Sequence, residues 1–147
     1  MRENIFQALY ALVQNLGIFT GEDGTVRVYD YPETAPPGYP YAVLGSEGIA
    51  SDVLDTARDV RKYNFVVQIV GEKFGEPAGK TQSQALKAMR ATEDLFLAAL
   101  DANNDLSRPD LVIRTMPTQG AYALSTDQTR VVLTISVSVD TTVPITM

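Results

Sequence analysis

Cysteine and histidine are both missing from this 147-residue chain. Without a thiol there is no thiolate nucleophile and no disulfide. Without either residue there is no Cys/His zinc set, no Ser-His-Asp triad and no imidazole acid–base chemistry. The redox compartment leaves no trace, because no thiol needs protecting. Long apolar runs are lacking as well: nothing approaches the roughly 18 residues of a membrane span. Met1-Arg2-Glu3-Asn4-Ile5 leads into an amphipathic pattern rather than the apolar core of a signal peptide, so synthesis in the cytoplasm and no membrane partner are expected. Basic clusters are also absent. With 12 Lys+Arg against 18 Asp+Glu, the net charge is −6, and tight binding of nucleic acid phosphates is disfavoured.

What is present is an ordinary globular composition, 45% apolar and 20% charged. The length fits one domain over residues 1–147, and a domain of this size buries roughly 68–70% of its unfolded surface. Residues 3–16 carry Ile5, Phe6, Leu9, Leu12, Val13 and Leu16 on one arc, a helix that Gly17 is placed to end. Val26 to Tyr31 reads as a short strand, residues 32–38 as a rigid proline connector, and Tyr39 to Gly45 as a second strand. Ser46 to Asp59 has weak periodicity and mixed charge, and reads as a long loop. Arg61 to Phe74 is apolar on both faces, which predicts a central strand or one covered by a partner. Thr81 to Leu100 reads as a second helix. Leu111–Thr115, Ala121–Leu124 and Arg130–Val139 read as strands, the last two joined as a hairpin. The order α-β-β-β-α-β-β-β predicts an α+β domain: a mixed, largely antiparallel sheet flanked by two main helices.

Two motifs tempt and fail. Gly75-Glu76-Pro77-Ala78-Gly79-Lys80-Thr81 lies between strand and helix, where a phosphate-binding loop would sit. Only three residues separate its glycines, and Phe74 stands where the loop needs glycine. A turn followed by a helix capped by Thr81 accounts for the same residues. Asp101, Asn103 and Asp105 match the first ligands of a calcium loop, but Leu106 replaces the required Gly and Val112 the required Glu. Turn chemistry at a helix end explains them. No metal or cofactor is expected.

Three groups are candidates for contacts between subunits. Asp55, Arg58 and Arg61, with Asp52 and Asp59, form a carboxylate–arginine cluster suited to salt bridges across an interface. Tyr39 and Tyr63 belong to a set of tyrosines around the proline connector, read as strand packing or a protein interface. Glu93 lies at the flank of the second helix's apolar arc, where an acid either snorkels out or pairs with an arginine across an interface.

Gly38-Tyr39-Pro40-Tyr41-Ala42-Val43-Leu44, an Asp-containing loop, and then Arg61-Lys62-Tyr63-Asn64-Phe65-Val66-Val67-Gln68-Ile69 form a pattern. A long helix, Asn103-Asn104-Asp105-Leu106, and a Gly120-Ala121-Tyr122 strand paired with Arg130–Ile135 follow it. In order and over nearly the whole chain, the pattern resembles the tail terminator proteins of long-tailed bacteriophages. The resemblance implies a virion protein at the head-proximal end of the tail, made in the host cytoplasm. It implies a hexameric ring that caps the tail tube, stops tube growth and docks the head connector. The implied partners are further copies of the chain, the tail tube protein and a head completion or connector protein. DNA would pass through without specific binding, no catalytic residues are carried over, and no enzymatic activity is expected. The proline-rich connector at 32–37 and the uncharged hydroxyl face of the last strand depart from the family's pattern. Two alternatives stand beside it: another head–tail joining or tail-tube component, or a small enzyme or ligand-binding module built on the 52–61 cluster.

Overall fold

The computed structural model describes residues 2–20, 24, 26–30, 38–53, 58–75, 79, 81–103, 106, 112–117, 120–125 and 128–144. Eight elements run in the order α1 (Arg2–Asn15), β1 (Val28–Tyr29), β2 (Tyr41–Val53), β3 (Arg58–Lys73), α2 (Gln82–Ala102), β4 (Val112–Pro117), β5 (Ala121–Leu124) and β6 (Arg130–Pro144). The α+β class and the element order are those expected from the sequence. The six strands form one sheet in the order β1-β2-β3-β6-β4, with β5 also paired to β6. The pairing of β1 with β2 is parallel; every other pairing is antiparallel.

Alternation along β3 and β6 builds the core. Tyr63, Phe65, Val67 and Ile69 are buried, and they stand opposite Val139, Val137, Ile135 and Leu133, buried likewise. Ala42 and Leu44 of β2 extend this apolar face. The stripes Ile5, Leu9, Val13 of α1 and Ala85, Met89, Phe96, Leu100 of α2 cover it in a single continuous cluster. A residue at every turn on one side of a helix suffices for such a layer. The opposite sheet face carries Asn64, Gln68, Thr134, Ser136 and Ser138, each half-buried or exposed; there the Ser138 hydroxyl donates to Asn64 Oδ1 at 2.8 Å.

The helix ends follow from local chemistry. Gly17, at φ +78°, takes the left-handed conformation that closes α1. Thr81 caps α2 in a reciprocal box: its hydroxyl accepts from the Gln84 N–H at 3.1 Å, and the Gln84 side chain accepts from the Thr81 N–H at 2.8 Å. The capped-helix reading of this segment holds, and β3, which precedes it, is antiparallel to both of its neighbours. At the other end, the Asn103 side chain and N–H both bond Ala99 O.

One expectation is corrected. The segment 46–59, read as a long loop, is largely strand: β2 runs to Val53 and β3 starts at Arg58. Ala50 pairs with Lys62 and Val53 with Asp59, after an irregularity between Ser46 and Gly48. Its glycines and small polar residues give little strand signal of their own. A long neighbour decides the conformation instead, since β6 pairs with β3 from Arg58 to Val70. At 16 residues and roughly 3.3 Å per residue, β3 is far longer than a common strand.

Candidate functional site

The proposed contact residues fall into three places. The first is the corner at Tyr39. Arg27 holds its backbone, donating from Nε to Pro40 O at 3.0 Å and from a terminal nitrogen to Tyr39 O at 3.3 Å. Arg130, at the start of β6, lies over the Tyr39 ring at 3.5 Å from its centroid and donates to Gly71 O at 3.2 Å. Tyr39 continues into an aromatic row, 5.3 Å from Tyr41, which stands 5.9 Å from Tyr29. Beside this row the sheet face opens into a groove of about 730 Å³ that includes Gln68, Leu124, Arg130 and Thr134. The arginines therefore fix the tyrosine corner as a rigid, half-exposed platform.

The second place is the middle of α2. Both carboxylate oxygens of Glu93 are engaged within the chain: one accepts from the Tyr122 hydroxyl at 2.6 Å, the other from the Gly120 N–H at 3.1 Å. Burial pushes the Tyr122 phenol up to about 12, and the hydrogen bond and the negative charge of Glu93 push the same way. Gly120 is the residue this arrangement tolerates, since a Cβ there would run into Glu93 and the Leu133 side chain. No local sequence signal joins positions 27 residues apart, so this contact was not readable in advance.

The third is the β2–β3 ribbon. Asp55 lies outside the described residues. The backbone places Arg58 opposite Pro144, and Arg61 between Ser51 on β2 and Thr141 on β6. At the neighbouring register position Lys62 and Arg114 both stand opposite Asp140, which is 4% exposed, with Lys62 Nζ 4.0 Å from its carboxylate. Tyr63, the remaining candidate, is 2% exposed and belongs to the core, the strand-packing role rather than the interface role. The structure thus keeps the arginines of the ribbon, Tyr39 and Glu93 apart from one another rather than gathering them into one pocket. Among the described residues no group of three acidic residues is placed to hold a metal ion, and no helix is long and apolar enough to cross a membrane.

No protein-family model matches the sequence, and no curated protein matches it. Among solved structures, the fold is similar to that of a chain from the virion of a native gene transfer agent particle. The TM-score is 0.57 at 16% identity, over 97% of this chain and 95% of that one. At that identity the likeness is one of fold, carried from end to end.

Proposed function

We propose that the chain is a structural virion protein that assembles into a hexameric ring, caps a tail tube at its head-proximal end and offers the head connector its docking surface. The observation that carries this reading is the end-to-end likeness to a chain of a gene transfer agent virion, with almost nothing left over on either side. The sequence pattern that resembles tail terminators points to the same kind of particle. A ring subunit must meet its neighbours through unlike surfaces that close on themselves. Two such surfaces are candidates: the segment 46–61, with Arg58 and Arg61 on β3 and Asp55 outside the described residues, and the flank of the sheet and α2 around Tyr39 and Glu93. A net charge of −6 suits a channel through which DNA slides without adhering.

Negative-stain microscopy of the purified protein tests this directly. Six-fold rings, together with arrest of tube growth when the protein is added to polymerising tube subunits, are the expected result. A species that stays monomeric at every concentration and salt, and leaves tube growth unchanged, overturns the proposal. Rings that form without arresting growth assign the chain to another joining or tube component. Asp55→Arg or Arg61→Glu should abolish rings while leaving the melting temperature of the subunit nearly unchanged.

A further inference from the structure

β4 and β5 follow each other along one edge of β6, yet they are not one continuous strand. Pro117 pairs with Val137 and Ala121 with Thr134, so four steps along the edge match three steps along β6. The two strands are therefore offset by one residue in their register on β6. At that break the Gly120 N–H is taken by Glu93 of α2 instead of by the sheet. Two residues further on, the Tyr122 hydroxyl is held by the same carboxylate. Beyond these bonds β5 is held by its ladder with β6 and, at its far end, by the turn in which Ser125 N–H donates to Arg130 O and the Ser125 hydroxyl accepts from Arg130 N–H. All four of its residues are exposed, and among the described strands it pairs with β6 alone. β4 is anchored differently, with buried Thr115 facing Val139 and Asp140 at its register.

We propose that Glu93 is a latch that holds β5 on the sheet, making β5 a separately releasable edge. With the carboxylate contacts broken, β5 lifts from residues 131–134 of β6 while β4, β3 and the rest of the sheet stay paired. The released edge exposes backbone N–H and C=O groups of β6, the kind of surface another strand can pair with. Local opening of this sort is expected where a segment has few buried apolar contacts and its hydrogen bonds are open to solvent.

Hydrogen exchange by mass spectrometry or NMR on the full-length protein reads the latch. Glu93→Ala should speed exchange of the amides of 121–124, and of their partners within 131–134, by roughly ten- to a hundredfold. The amides of 63–69 and 137–139 should be unchanged. Tyr122→Phe, which removes one of the two bonds from an exposed position and tests the same point if Glu93→Ala folds poorly, should give a smaller increase confined to the same segment. Glu93→Gln, whose amide oxygen still accepts, should restore most of the protection. Unchanged β5 exchange in both Glu93→Ala and Tyr122→Phe overturns the proposal. So does an increase spread evenly through β3 and β6, since the contact would then support the whole fold and not one edge.

Discussion

The guanidinium of Arg130 lies over the ring of Tyr39, at 3.5 Å from its centroid, while donating to the carbonyl of Gly71. One side chain thereby ties the start of β6 to the corner before β2 and to the end of β3. A cation–π contact of this kind contributes about 0.5–2 kcal/mol depending on desolvation, and a hydrogen bond from a charged donor about 1.5–3 kcal/mol. Because Arg130 is only half-buried, the lower ends apply. Arg130→Ala should cost about 2 kcal/mol in a urea midpoint measurement at unchanged m-value. Tyr39→Phe, which keeps the ring face, should cost less than about 0.5 kcal/mol.

The Thr81 cap gives a cleaner test, because the box is exposed. Thr81→Ala removes one acceptor from the first turn of α2 and should lower stability by about 1 kcal/mol. Gln84→Ala should cost less, and the double variant should cost less than the sum of the two, since each bond helps to place the other. Strict additivity in a thermal or urea double-mutant cycle would refute the reciprocal geometry seen here.

Much of this architecture was legible because its signals are periodic. The arcs of α1 and α2, the alternation of β3 and β6, and the Thr81 cap each follow from residues close together in sequence. The sequence pattern places β5 at its observed bounds, Ala121–Leu124. The misread segment fails for the complementary reason: residues 46–53 are strand because β3 and β6 run long beside them, a tertiary cause that local composition does not carry. β1 shows the same limit. Six residues, Val26 to Tyr31, read as strand; Tyr31 lies outside the described residues, and among the described ones Val28 and Tyr29 pair with β2, in a parallel sense that leaves no mark on the sequence. Of the contact residues, Glu93 was picked out for its place on the helix flank, but its partners Gly120 and Tyr122 lie 27 and 29 residues away, beyond any spacing rule.

Of the glycines that sit against side chains, Gly71 and Gly120 should respond differently to alanine. At Gly71 the new Cβ would lie 2.9 Å from the terminal methyl of Met89 and 3.3 Å from Val131 O. The methionine end is flexible and can swing aside, so Gly71→Ala should cost about 1 kcal/mol or less. At Gly120 the Cβ would collide with the carboxylate of Glu93 and with buried Leu133. Relief there must break the bonds to Glu93 or shift a core residue, so Gly120→Ala should cost about 2–3 kcal/mol. Equal losses of melting temperature for the two variants would contradict the packing described at the β4–β5 break.

Tyr122 connects this contact to pH. Its phenol is pushed up to about 12 by burial first, then by the hydrogen bond and charge of Glu93. A phenol held in its neutral form in the folded state, but free to ionise near pH 10 when unfolded, stabilises the fold fully below about pH 10. That contribution is lost as pH rises through about 12. With 36% of Tyr122 exposed, solvent screens the effect and keeps its contribution to stability small. Phenolate absorbance should therefore show a late-titrating component in the native protein. Tyr122→Phe should take one tyrosine out of that component, and Glu93→Gln should move the Tyr122 part to lower pH by taking away the charge while leaving an acceptor. Tyr10 is raised as well, by burial and then by the neighbouring Asp30 and Tyr29, so it supplies an internal reference that neither substitution should shift. A late component that survives Tyr122→Phe unchanged would mean that the Glu93–Tyr122 bond does not form in solution.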